Sequence, residues 1–307
     1  MGKEARLDPY FAALYRVNFD GTGMKLLTPI TVKARDGKTD LYGFLFKPTN
    51  FDVTKKYPVI DHIYPGPQTG SCGSRSFTAA HKDMQALAEL GFVVVCIDGM
   101  GTPGRSKSFH DALYGDMADN TIPDQVAGIK QLAAKYAWMD GERMGIYGHS
   151  GGGAAAAAMF HAPEFFKVGV SESGNHDNRE YEDDWAEKWI GLLKANSDGT
   201  TNYDSQANEN FAKNLKGRLL LVHGTMDDNV PPNNTLLVVD ALIKANKDFD
   251  LLLVPNAAHD YGAATPYVTR RRWDYFVRYL AGGEPPAEYR MKPYAEQQAA
   301  LKWSGEQ

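Results

Sequence analysis

Six short runs of apolar residues recur along the chain, each closed by a turn signal: YPVIDHIY (57–64), GFVVVCID (91–98), RMGIYG (143–148), KVGVSES (167–173), RLLLVHG (218–224) and FDLLLVP (249–255). A strand exposed on one face alternates apolar and polar residues. These runs are instead close to continuously apolar, so both faces must be covered, as in a parallel sheet sandwiched by helices. The segments between them supply the helices: AAHKDMQALAEL (79–90), 122–136, the alanine-rich stretch after Ser150, NTLLVVDALIKAN (234–246) and a last helix through 272–280. Upstream, ITVKAR (30–35) and DLYGFLFKP (40–48) flank an Asp36-Gly37 turn, which predicts a hairpin. The expectation is an α/β protein with an eight-stranded, mostly parallel sheet, its second strand antiparallel to its neighbours and helices on both faces.

At 307 residues the chain can bury a sizeable core. A net charge of -5 without a long basic run argues against nucleic-acid binding. No apolar run approaches the roughly 20 residues of a membrane span, and MGKEARLDPYF lacks the apolar centre of a signal peptide. The compartment is left open between cytoplasm and a periplasm reached through a leader absent from this chain. Cys72 and Cys96 form no metal or redox spacing, and Cys96 reads as a buried strand thiol. Three parts are expected: residues 1–29 as an N-terminal extension whose LYRVNFDGTGMKLLT (14–28) forms a hairpin turning at Asp20-Gly21, residues 30–282 as the main domain, and residues 283–307 as a polar, proline-containing tail.

Between the strand at 143–148 and the alanine run stands Gly148-His149-Ser150-Gly151-Gly152. This G-x-S-x-G pattern matches the elbow of the α/β-hydrolase fold, a tight strand-to-helix turn that exposes a serine nucleophile. Glycine is required where a β-carbon would block the bend. The fold then expects an acid and a histidine, in that order, on later loops at the carboxyl ends of strands. TMDDNVPP after the strand at 218–224 offers Asp227 and Asp228, and NAAHDYG after the last strand offers His259. Ser150 is the expected nucleophile, His259 its base, and the Gly151 N–H one oxyanion donor.

These segments, with YPVIDHIYPGPQTG, DGMGTPGRS, SESGNHDNREYEDDW and LLLVHGTMDDNVPP, resemble the catalytic domain of the prolyl oligopeptidase family of serine peptidases, especially its dipeptidyl-peptidase-like bacterial branch. The resemblance spans about residues 30–280. It implies that Asp227, rather than Asp228, orients His259, and that Tyr64 supplies the second oxyanion donor. It also places Tyr181, Trp185 and Asn229 around the substrate pocket. The family usually carries an N-terminal β-propeller that caps the site and, in dipeptidyl peptidases, holds the substrate amine through an acidic pair. No such element is assigned in this sequence, and 14–28 looks like a single blade hairpin. A truncated domain with an open site, looser substrate choice and an apolar rim available for homo-oligomer contacts is the expectation.

The expected reaction is hydrolysis of peptide bonds by Ser-His-Asp acyl transfer, after proline or a small residue. A carboxylesterase or amidase using the same triad is the alternative, with a peptide or small ester as substrate. GMGTPG (99–104) fits a dinucleotide fingerprint but lacks the following βαβ unit and acid, so no cofactor is expected. GDMAD (115–119) and GNHD (174–177) echo metallophosphoesterase blocks whose partner blocks are missing, so no metal is expected.

Overall fold

The computed structural model describes residues 30–73, 82–117 and 120–291, together with the backbone of two short strands, β1 (Leu14–Arg16) and β2 (Lys25–Thr28), which pair antiparallel. The expected turn at Asp20-Gly21 and most of the expected C-terminal tail lie outside the described residues.

The remaining strands form one sheet. In chain order they are β3 (Ile30–Lys33), β4 (Asp40–Phe46), β5 (Tyr57–His62), β6 (Val93–Asp98), β7 (Met139–His149), β8 (Val168–Glu172), β9 (Arg218–Gly224) and β10 (Asp250–Val254). Their spatial order is β10-β9-β8-β7-β5-β6-β4-β3. Every neighbouring pair from β10 to β6 is parallel, and β4 runs antiparallel to both β6 and β3. This is the eight-stranded sheet of the α/β-hydrolase fold.

Alternate residues of each central strand feed opposite cores. On one face Val59, Val95, Ile146 and Leu221 pack against α3 (Ile122–Lys135), α4 (Ala154–His161) and α6 (Asn233–Lys244). On the other, Ile60, Val94, Tyr147 and Val222 pack against α1 (Met84–Glu89) and α7 (Thr265–Phe276). Both faces being covered explains why β5 and β6 are buried along their whole length. The run at 249–255 is different. β10 is the outer strand, and Leu251 and Leu253 are exposed despite an apolar sequence that reads as doubly covered.

Element ends shift in ways that follow from local chemistry. The last helix begins at Thr265, with proline in its first turn where no N–H is needed, and ends at Phe276 in a π-turn over Val277–Ala281. Its buried Arg272 reaches Glu172 at the end of β8 (2.6 Å) and Asp83 (2.5 Å), tying α7 to the sheet. The alanine helix does not begin at the serine: a 3-10 turn, Ser150–Gly153, precedes α4. Ala154 to Phe160 are all buried, so alanine serves there to let the helix lie close to the sheet and to the 3-10 segment Asn208–Asn214.

Candidate active site

Ser150 sits at the junction of β7 and the 3-10 turn with φ +61°, a left-handed conformation that a non-glycine residue adopts only under local constraint. The neighbouring glycines make this possible. A β-carbon at Gly148 would collide with the Ile63 carbonyl oxygen, and one at Gly153 with the Gly174 backbone. The sequence folds this way because the chain must pass from the sheet into a buried helix within four residues.

Loops at the carboxyl ends of β9 and β10 carry the other two side chains. Asp227 Oδ1 accepts the backbone N–H groups of Asn229 (3.0 Å) and Val230 (2.9 Å), while Oδ2 lies 2.8 Å from His259 Nδ1. Burial alone would raise the Asp227 carboxyl. The His259 ring and the Val230 and Asn229 N–H groups outweigh it and hold the group below its ordinary range. A charged carboxylate at Nδ1 leaves Nε2 as the basic nitrogen of a neutral His259. Asp228 is exposed.

His149, next to Ser150, fixes the histidine loop to the elbow. Its Nε2 donates to the His259 carbonyl (2.8 Å), which also accepts from the Ser173 hydroxyl (3.3 Å), and the two imidazole centroids are 4.6 Å apart. Burial pulls His149 down to about 4, so it is a neutral strut rather than a charge. The Ser150 hydroxyl makes no hydrogen bond among the described residues. Bonds of this kind commonly tighten only when substrate is in place. In the sequence His149 is only the variable residue before Ser150 in G-x-S-x-G; its anchoring role depends on a loop 110 residues away.

Tyr64 lies against the elbow: a β-carbon on Gly151 would come within 3.4 Å of its hydroxyl oxygen. Gln68 Nε2 donates to that oxygen (3.2 Å), which leaves the phenolic hydrogen free to point elsewhere. The Tyr64 N–H is held by the Ser71 hydroxyl at 2.9 Å. Tyr181 donates to Asn229 Oδ1 (3.3 Å), and its ring meets Trp185 edge-on at 5.6 Å. Trp185 lines a small cavity beside Gly151, together with Asn175 and Gln206, two residues that sequence reading gave no part.

His176 of GNHD is buried and accepts from Asn208 Nδ2 (3.0 Å). In the loop at 99–104, Met100 N–H is held by Asp124 (2.8 Å). Among the described residues no helix is long and apolar enough to cross a membrane.

The model of the prolyl oligopeptidase family matches residues 78–283. Human dipeptidyl peptidase 8 is 32% identical over 220 residues, covering 71% of this chain and 24% of that protein. Dipeptidyl peptidase family member 1 of Caenorhabditis elegans is 29% identical over 271 residues, covering 86% of this chain and 32% of that protein. The crystal structure of Porphyromonas gingivalis dipeptidyl peptidase 4 superposes with a TM-score of 0.74 at 26% identity, over 88% of this chain and 36% of that one. The chain thus spans 24% to 36% of the length of these relatives.

Proposed function

The chain belongs to the prolyl oligopeptidase family, and on that premise we propose that it is a serine peptidase whose catalytic unit is residues 30–282. The observation that carries the reading is the 2.8 Å contact of Asp227 with His259, whose backbone is tied to the residue preceding Ser150. His259 Nε2 takes the Ser150 proton as the hydroxyl attacks the scissile carbonyl, and Asp227 steadies the imidazolium that forms. The Gly151 N–H and the Tyr64 hydroxyl receive the charge on the tetrahedral oxygen. Collapse expels the amine, which takes the proton from His259, and water then releases the acyl group by the same steps in reverse order. Tyr181, Trp185 and Asn229 line the approach of the substrate, and cleavage follows proline or a small residue.

Labelling with a fluorophosphonate probe tests the nucleophile: wild type should react and Ser150→Ala should not. Comparing kcat/KM on a peptidyl anilide with that on a p-nitrophenyl ester tests the substrate class. Turnover confined to the ester would replace the peptidase by an esterase.

A further inference from the structure

Beside Gly151 lies a cavity of about 30 Å³ bounded by Pro65, Gly66, Gly151, Asn175, Trp185 and Gln206. Its position follows from the reaction. When the Gly151 N–H and Tyr64 hydroxyl hold the scissile carbonyl oxygen, the residue contributing that carbonyl has its α-carbon one bond from the attacked carbon. Gly151 borders this cavity, so the cavity is open to that residue's side chain. The volume admits only a small group.

Amides form a directional chain behind that space. Gln206 Nε2 donates to the Asn202 backbone carbonyl (3.4 Å), Asn178 Nδ2 donates to Gln206 Oε1 (3.3 Å), and Asn175 Nδ2 donates to Asn178 Oδ1 (2.8 Å). The Asn202 carbonyl can only accept. It therefore fixes the orientation of Gln206, which fixes Asn178, which fixes Asn175. The end of the chain at the cavity is an acceptor, and Asn175 Oδ1 is buried without a partner among the described residues. Among the described residues the lining holds no carboxylate, and the nearby Asp177, Asp204 and Glu209 are engaged by Arg179. A cation entering would lose its hydration without a counter-charge.

We propose that this cavity receives the residue on the acyl side of the cleaved bond and selects a small uncharged side chain that donates a hydrogen bond. The hydroxyl of serine or threonine and the amide of asparagine meet that description; proline has no donor to offer Asn175. The inference rests on the peptidase reading above and narrows it from small residues to small donors.

Peptidyl coumarylamides identical except at the acyl-side residue provide the test, with threonine against valine and asparagine against leucine as matched pairs, plus alanine and proline. In wild type the donor of each pair should have the higher kcat/KM by about tenfold or more, because a site built to bond a group discriminates against the analogue lacking it. Threonine should also exceed proline. Asn175→Leu should bring the threonine-to-valine ratio towards one; the wild-type ratios stand as a measurement even where that variant does not fold. Cleavage in which valine equals threonine, or proline leads, overturns this inference and leaves the peptidase reading intact. Absence of cleavage at every residue tested, with ester turnover retained, overturns the peptidase reading and this inference with it.

Discussion

The carboxylate of Asp227 divides its two oxygens between two tasks: Oδ1 accepts the N–H groups of its own loop, and Oδ2 meets His259 Nδ1 at 2.8 Å. Asn at this position keeps an oxygen for the loop and presents an NH₂ to the ring, which cannot accept the Nδ1 proton. Asp227→Asn should therefore fold, with a melting temperature at neutral pH somewhat below wild type because the stabilisation tied to the charged carboxylate is gone, while kcat falls by about 10⁴. Steady-state kinetics beside a thermal melt will check this. Asp228→Asn, at an exposed neighbour, should leave kcat within about twofold, and a comparable loss there would reverse the assignment.

Ser150 is held at φ +61°, a conformation that costs a residue with a β-carbon roughly 1–2 kcal/mol relative to glycine. Two inactivating variants separate this strain from the chemistry. Ser150→Ala removes the hydroxyl and keeps the strain; Ser150→Gly removes both. Calorimetry should find the glycine variant more stable than the alanine variant, by an amount reduced by the greater freedom of glycine in the unfolded chain. Equal or reversed melting temperatures would show that the turn stores no such strain.

Much of this arrangement is legible in the sequence, and the reasons differ from element to element. The sheet could be read because β5 through β9 are apolar over lengths that only coverage on both faces explains, and the elbow because Gly148 and Gly152 of its motif are sterically required. Chain order points to the loops carrying Asp227, Asp228 and His259, and only the family resemblance favours Asp227 over Asp228. What escaped depends on contacts between distant segments. Nothing in FDLLLVP distinguishes an outer strand from an inner one, so the exposure of Leu251 and Leu253 appears only once β10 takes its place at the edge. The 3-10 turn before α4 reflects packing of Gly153 on Gly174, which no helical periodicity encodes. Asn175 and Asn178 lie within SESGNHDNREYEDDW and Gln206 well beyond it, no motif gives these amides a role, and only the folded chain joins them.

Tyr64 and Gly151 are in contact, yet only the tyrosine can lose its donor without disturbing the backbone. On the proposed mechanism, Tyr64→Phe keeps the ring beside Gly151 and deletes one of the two hydrogen bonds to the developing oxyanion. The expected loss in kcat is about 10²–10³, with fluorophosphonate labelling slowed but complete at long times. Ser150→Ala should lose about 10⁶. Indistinguishable losses from the two substitutions would remove Tyr64 from the oxyanion site.

Arg272 is buried between Glu172 and Asp83. Replacing it leaves two carboxylates facing each other inside the protein without a cation, a situation that typically costs 3–5 kcal/mol. Arg272→Met, matched for length, should lower the denaturation midpoint markedly. The triple variant that also carries Glu172→Gln and Asp83→Asn should recover part of the loss, since the stranded charges are then gone. No recovery in urea titrations would place the cost in lost packing instead.

Four histidines whose folded-state values burial depresses, His62, His149, His176 and His223, bear on the acid limit of the fold. Burial lowers His149 to about 4 and His62 and His176 to about 3, whereas in the unfolded chain each titrates near its ordinary value of about 6.5. Between those limits the unfolded state binds more protons than the folded state, so stability declines as the pH drops. The decline should begin near pH 6.5 and continue to about pH 3, where His62 and His176 charge in the folded state as well. Asp227, held below its ordinary range, works in the same direction at the acid end: its stabilisation is present above about pH 4 and is lost as the pH falls through its folded value. Burial raises Asp61, Glu172 and Glu209, which works in the opposite direction because there the folded state binds the extra proton. The histidine contribution is therefore read from the difference between wild type and a variant in melting temperatures recorded from pH 8 to 3.5. His149→Gln, which retains a donor for the His259 carbonyl but cannot titrate, should show a shallower fall between pH 6.5 and 4. An unchanged slope in that variant would mean that His149 is already protonated in the folded protein, and that its contact with His259 is charged rather than neutral.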